Sequence, residues 1–480
     1  MSIIIPANSA VSGGYDVDNS LLFDPGAKIT HTFGSTTNRR TFTLSSWIKK
    51  CSTTTEQNFV FGGDNSGSNP YFDFRFNSDQ TINWYCSDGS GNLAFNLITN
   101  RKFTDSNAWY HMVMAVDTTQ GTSSNRVKLY VNGVQQTSLS TATYPSQNFE
   151  TPFNDVNYEV QYGGLRTSTP NYNGYMCEIV EIDGQQLDPT SFGEFDEDSG
   201  VWKPISVSGL TFGDNGHYLD FEDSSDLGQD VSGNNNDFTL TNIAATDQAL
   251  DTCTNNFTTM NRLDNYYPGA TFSLGNLQVA TTNSGKAWNT SSIALSSGKW
   301  YFEAKNSATG GSTPSDNWNL IGISDRSPTS VTDLGLADYQ YAIFQFDGKV
   351  YAGSSSSITY AAAWVTGDII GCAIDLDNNK IYWHKNGQWG TGSGAWGSTT
   401  FNASTGAFSI QAAASTLNGF YFVAMGDAGV NVSKTWQFNF GSPVYAISSS
   451  NTDGDGYGNF EYAVPSGFYS INTKNLAEYG

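Results

Sequence analysis

The sequence predicts an all-β protein built from two antiparallel β-sandwiches, and three observations predict it. Short apolar and aromatic runs bounded by Gly, Asn, Asp and Ser recur along the 480 residues, as in sandwiches and barrels, while helical periodicity is scarce. Aromatic residues make up 14% of the chain, enough to fill large cores and too many for a disordered acidic chain. Two hairpins of the same design occupy the two halves. One runs through residues 109–117 (WYHMVMAVD) and 126–131 (RVKLYV) and closes at Asn132-Gly133; the other runs through 367–375 (GDIIGCAID) and 380–385 (KIYWHK) and closes at Asn386-Gly387. Asn-Gly supplies the positive φ that a tight primed turn needs.

In chain order, residues 41–49 (TFTLSSWIK), 59–62, 71–76, 82–86 and 110–117 read as strands of a first sandwich over 1–205. Within it, Leu187-Asp188-Pro189-Thr190 is the one helix-start signal, with Asp188 as N-cap and Pro189 in the first turn; it predicts a short surface helix running to about Phe195. Residues 206–252 form an acidic, Asn/Gly-rich connecting segment, yet 216–222 (GHYLDFE) and 238–240 (FTL) alternate like strands. The segment either completes the first sandwich or docks against it. The second sandwich is expected over 253–445, with a C-terminal hairpin and tail over 446–480.

The composition excludes several classes. Only 14% of residues are charged, and 22 Lys+Arg against 45 Asp+Glu give a net charge of −23, whereas a globular domain takes about a quarter of its residues from D, E, K and R. Without a basic surface, binding to nucleic acid or to an anionic membrane is not expected. The apolar run Ile3–Ile5 lacks the basic flank and length of a signal peptide, and nothing approaches the roughly 18 apolar residues of a membrane span. Synthesis in a cytoplasm is therefore expected. Cys51, Cys86, Cys177, Cys253 and Cys372 are spread singly, with no C-x-x-C pair, and read mostly as buried thiols.

Chemical motifs are sparse. In Glu178-Ile179-Val180-Glu181-Ile182-Asp183, strand alternation sets Glu178 opposite Glu181 and Asp183. The paired-carboxylate geometry of a glycosidase is then not met, and the run reads as a solvated strand end. His31, His111, His217 and His384 are dispersed and read as packed side chains. No G-x-S-x-G, Walker loop or H-E-x-x-H occurs, so no catalytic residue is assigned. For calcium, Asn451-Thr452-Asp453-Gly454-Asp455-Gly456 offers Asn451, Asp453 and Asp455 as oxygen ligands, with Tyr462 where an EF-hand carries Glu. The acidic loop from Asp220 to Asn236 is a second candidate. The alternative for both is turn chemistry, in which Asp and Asn satisfy local backbone groups. The loop at 386–397 sets Gln388, Trp389 and Trp396 among glycines. Sugars stack their C–H faces on such rings; the alternative is that both rings fold back over the sandwich edge.

Several segments carry family resemblances. Residues 42–49, 109–111 and 127–133 resemble the laminin-G-like, concanavalin A-like lectin/glucanase domains. Residues 297–303 (SGKWYFE), 321–323, 366–371 (TGDIIG), 375–377, 385–387 and 437–441 (QFNFG) resemble a SPRY domain in order and spacing. That likeness implies core roles for Trp47, Trp300 and Trp383, and places Trp318, Tyr339 and Tyr341 near a ligand-binding region. Together with 191–195 (SFGEF), 201–204 (VWKP), 465–468 (PSGF) and 473–476 (TKNL), the chain resembles virion proteins of tailed bacteriophages of marine bacteria, tail fibres or capsid appendages. The resemblance implies location in the virion after assembly in the host cytoplasm, with other virion proteins, a host-surface glycan and further copies of the chain as partners. Two functions follow as expectations: a structural and adhesion component without catalysis, or a glycan-depolymerising appendage with a carboxylate site between domains or subunits.

Overall fold

Successive side chains of a strand point to opposite faces, so a strand that is apolar at every position must be covered on both. Many strands here are of that kind. The computed structural model describes residues 14–53, 55–64, 70–164, 172–264, 270–281, 287–309, 318–329, 332–353, 357–427 and 433–480. It divides into two compact units that meet in sequence at Asn256 and Phe257.

The first unit holds two eight-stranded sheets. Thr41–Lys50 is central in one, antiparallel to Tyr110–Asp117 on one side and Gly174–Asp183 on the other. The second is a run of hairpins through Gln57–Gly63, Tyr71–Phe76, Thr81–Ser87 and Leu93–Lys102. Phe42, Leu44, Met112 and Met176 of the first sheet meet Phe72, Phe74, Trp84 and Phe95 of the second in one core. The acidic stretch 206–252 contributes to both sheets: His217–Leu219 pairs with Gly174–Asp183, Gln248–Ala249 with Ser20–Phe23, and Thr239–Thr241 with Lys28–Thr32. Phe192, Val207 and Phe212 cover Val113, Val180 and Ile182 on the outer face. The helix expected after Asp188 is a single 3-10 turn, Pro189–Ser191, capped by Asp188 Oδ1 accepting from Thr190 N at 3.0 Å. The chain then turns into a strand, Gly193–Phe195. Phe192 is drawn into the outer cluster, and Gly193 lies against Trp202, where a Cβ would come within 2.7 Å of the ring.

The second unit pairs a nine-stranded with a six-stranded sheet. Lys299–Thr309 is central in the larger, between Ile369–Asp375 and Lys434–Asn439. Asn319–Ser324 is central in the smaller, between Tyr421–Asp427 and Gln340–Phe344. Trp300, Phe302, Trp383, Trp436 and Phe438 meet Ile321, Ile323, Ile343, Val423 and Met425 between the sheets. The C-terminal segment adds Tyr469–Ser470 in parallel to Lys299–Thr309. It ends in the only α-helix among the described residues, Thr473–Tyr479, capped by Asn472 accepting from Asn475 N at 2.9 Å. Phe460, Phe468 and Val464 cover the outer side chains Tyr301, Ala373 and Tyr382.

Both Asn-Gly hairpins form as expected, with φ of 48° and 76° at Asn132-Gly133 and 47° and 81° at Asn386-Gly387. Each Asn also accepts a backbone N–H from the first strand of its hairpin, His111 N to Asn132 Oδ1 at 2.8 Å and Ile369 N to Asn386 Oδ1 at 2.9 Å. Each hairpin buries one histidine. Trp202 Nε1 donates to His111 Nδ1 at 2.9 Å, leaving Nε2 facing Ser45 Oγ at 2.8 Å. Gly387 N donates to His384 Nδ1 at 3.2 Å, and Nε2 faces Tyr301 Oη at 2.7 Å. Burial pushes both imidazoles down to about 3, so both are neutral. Trp47 is buried by stacking on His111 at 4.8 Å.

Buried ionisable groups fasten the chain in both units. In the first unit Lys49 Nζ lies 2.6 Å from Asp251 Oδ2, while Trp109 Nε1 donates to Asp251 Oδ1 at 3.1 Å. Lys49→Met would strand the Asp251 carboxylate, and we expect a loss of about 3–5 kcal/mol in denaturant unfolding. In the second unit Glu303 accepts from Tyr462 N at 2.8 Å, Glu461 N at 3.0 Å and Tyr301 Oη at 3.0 Å. It thereby ties the C-terminal segment to the central strand. Burial outweighs these donors and pushes Glu303 up to about 7. The folded state then holds this proton more tightly than the unfolded chain, so the group's stabilising contribution is full below about pH 4.5 and is lost as pH rises through about 7. Glu303→Gln lacks the ionisation, so its stability relative to wild type should rise by up to about 3 kcal/mol across that window in pH-dependent unfolding.

Candidate functional site

The glycine-rich loop at 386–397 closes on itself instead of projecting. Trp389 N donates to Ser398 O at 2.9 Å, and Gly397 N to Trp389 O at 2.7 Å. Gly390 lies against Tyr360, whose ring a Cβ would approach to 2.3 Å. Trp389 is consequently buried, its ring 4.8 Å from both His384 and Phe401. Trp396 is half-buried and meets Trp364 edge-on at 6.4 Å. Both rings fold back over the sandwich; Gln388 alone of the three is exposed. Tyr341 is buried in the inter-sheet core, with its hydroxyl accepting from Gln411 N at 3.0 Å. Tyr339 is half-buried against the same core, at φ 63°.

Trp318 is placed differently. It packs beside Leu320, Ala342 and Phe344 on the outer face of the six-stranded sheet, away from the inter-sheet core that holds Ile321 and Ile343. There it lines a cavity of about 240 Å³ with Leu320, Phe344, Phe346, Tyr351, Asp333 and Asp347. Trp318 meets Phe344 at 6.1 Å and Phe346 at 6.5 Å, both edge-on. Phe346 is 44% exposed among the described residues. The indole Nε1 of Trp318 is buried without a hydrogen-bond partner among the described residues. Asp347 holds Lys349 Nζ at 2.9 Å at the surface. The cavity thus combines flat apolar walls, one unused donor and two carboxylates. The Asp-Gly turn at 347–348 was a visible signal for it, but Asp333, Phe346 and Tyr351 come together only in the fold.

The acidic motifs are engaged in local structure. Asp453 Oδ1 accepts from Asp455 N at 3.1 Å and Tyr457 N at 2.9 Å. Its Oδ2 accepts from Ser470 N, Ser470 Oγ and Asn475 Nδ2 at 2.9, 2.6 and 2.8 Å. Asn451 turns its amide nitrogen to Ser449 Oγ at 2.9 Å. Asp230 likewise accepts from Tyr218 N, Ser232 N and Asn236 N, each at 2.9 Å. Among the described residues no three His, Cys, Asp or Glu side chains are grouped to hold a metal ion.

The carboxylates at 178–183 are buried, which corrects the expected solvated strand end. The pairing of Gly174–Asp183 with Thr41–Lys50 slips between Cys177 and Val180, and Glu178 takes φ 52°. Past this bulge, Glu181 lies inside the sandwich at 3.2 Å from His217 Nδ1, and Tyr162 Oη meets His217 Nε2 at 2.8 Å. Glu178 accepts from Tyr218 Oη at 2.9 Å and Tyr15 Oη at 3.2 Å. Burial raises both Glu178 and Glu181 to about 7. Glu178 is thus engaged by two tyrosine hydroxyls, whereas Glu181 has the approach of His217 and no hydrogen-bond donor on either carboxylate oxygen among the described residues.

Residues 24–180 match the model of the concanavalin A-like lectin/glucanases superfamily, and residues 299–416 match the SPRY domain. The chain joins a concanavalin A-like domain to a SPRY domain. Over 96 residues it is 31% identical to Ran-binding protein 9 of Danio rerio, covering 20% of this chain and 15% of that protein. Over 60 residues it is 42% identical to the E3 ubiquitin-protein ligase RKP of Arabidopsis thaliana, covering 12% of this chain and 4% of that protein. The chain therefore spans only a small part of the curated relatives it matches. Among solved structures, the SPRY domain of human HERC1 aligns at 12% identity and a TM-score of 0.28 over 37% of this chain and 96% of that one. The SAP-like pentraxin of Limulus polyphemus aligns at 14% identity and 0.28 over 36% and 80%.

The two kinds of aromatic separate by experiment. Trp389→Ala removes a buried ring, and we expect a loss of about 3–5 kcal/mol in unfolding. Phe346→Ala at the cavity mouth should stay within about 0.5 kcal/mol of wild type.

Proposed function

We propose that this chain is a non-catalytic adhesion component of a tailed-bacteriophage virion, a tail fibre or capsid appendage, which binds host-surface glycan at the aromatic cavity of its SPRY domain. The observation that carries this reading is the cavity walled by Trp318, Phe344, Phe346 and Tyr351 with Asp333 and Asp347 at its edge. Sugar rings present C–H faces that pack on flat side chains and hydroxyls that donate to carboxylates, while the buried Trp318 N–H meets a hydroxyl oxygen. Both matched domains are of a binding type, and the sparsely charged Ser/Thr/Asn-rich exterior suits a protein working outside a cell, where salt screens charge within about 8 Å. The burial of Glu178, Glu181 and Asp183 speaks against the depolymerising alternative at that run. A second reading is that the cavity takes a side chain of another virion protein, in keeping with the Ran-binding name of the SPRY relatives.

Incubating the purified protein with host-surface polysaccharide separates these readings. We expect retention of the polysaccharide without shortening, and a loss of affinity of about 3–10-fold in Trp318→Ala, the value of one ring contact. Equal binding by folded Trp318→Ala would remove the cavity from the reading. Shortened chains would establish the depolymerising function, and binding to virion proteins alone would establish the second reading.

A further inference from the structure

Sequence spacing separates the five thiols, but the fold brings two of them together. Cys177 lies in the central strand Gly174–Asp183, fully buried, and its Sγ is 3.8 Å from Cys253 Sγ. Cys253 is half-buried in the irregular stretch that ends the first unit. Its neighbours are tied to the sheet: Ser20 Oγ donates to Asp251 O at 2.6 Å, Thr254 Oγ1 donates to Val17 O at 3.1 Å, and Asp251 holds Lys49. The two sulfurs are thus held side by side, Cys177 within the sheet and Cys253 in a half-buried stretch without strand pairing.

We propose that Cys177 and Cys253 form an oxidisable dithiol that closes to a disulfide when the folded chain meets a peroxide. This proposal is independent of the glycan reading. The Cys253 thiolate attacks the peroxide O–O bond, giving Cys253–SOH and an alcohol once the leaving oxygen takes a proton. The Cys177 sulfur then attacks the sulfenic sulfur, the S–S bond forms, and the S–O bond breaks to release water. In sum, two thiols and one peroxide give one disulfide, one alcohol and one water, with two electrons passing from the sulfurs to the peroxide. Burial and the neighbouring sulfur raise the Cys253 thiol, so the thiolate is scarce at neutral pH and closure is slow there, faster in alkaline buffer. A thiol pair of this kind stays reduced in a cytoplasm and locks once the protein is outside it. Closing a loop across 76 positions restricts the unfolded chain and raises stability.

The test uses the intact protein exposed to tert-butyl hydroperoxide without denaturant, followed by thiol counting in denaturant, peptide mapping and thermal melting. We expect the count to fall from five by one pair, a linked peptide joining Cys177 to Cys253, and a rise in melting temperature of roughly several degrees that a dithiol reductant reverses. Cys253→Ser should lose the linked peptide and the shift, whereas Cys86→Ser should keep both. Five free thiols after exposure, or Cys253 carried to sulfinic acid beside an intact Cys177 thiol, would overturn the proposal.

Discussion

Both sandwiches depend on one constraint: strands that are apolar on both faces leave no face free to meet water. Facing sheets cover the inner sides in the two large cores. The outer sides need separate covers, and the intervening segments supply them. Phe192, Val207 and Phe212 cap Val180 and Ile182, and Phe460, Phe468 and Trp389 cap Tyr301 and Tyr382. Beside Leu320 and Phe344, on the outer face of the six-stranded sheet, a cavity remains. The site and the connecting segments answer the same demand for burial.

A chain with few charges still buries several, and where one fastens the C-terminal segment it is surrounded by donors. Glu303 collects backbone N–H groups from the C-terminal segment and a hydroxyl from Tyr301, which in turn meets His384. Gly387, in the Asn-Gly turn, donates to the other side of that imidazole. Turn, central strand and tail are therefore coupled through one polar chain, and removing one member would leave the others desolvated and unpaired. His111 plays the matching part in the first unit, held between Ser45 and Trp202.

The strands and both Asn-Gly hairpins were legible because their signals are local: alternation over a few residues and a turn that needs positive φ. The site was legible in part. Trp318 was among the expected ligand residues, but Trp389 and Tyr341 looked similar in sequence and are packed inside. A ring's exposure depends on what lies across the sheet, and a single strand carries no record of that. The bulge at Glu178 was equally hidden, since one extra residue shifts every later side chain to the opposite face.

By itself the sequence determined the all-β class, the two hairpins, the poverty of charge and the cap at Asp188. Each of these follows from the conformational preference of a few adjacent residues. Tertiary structure alone decided which aromatics face solvent, which carboxylates are buried and which thiols meet. These depend on pairing between residues far apart in the chain, as with Cys177 and Cys253 or Lys49 and Asp251, where burial and distance belong to the partner as much as to the residue itself.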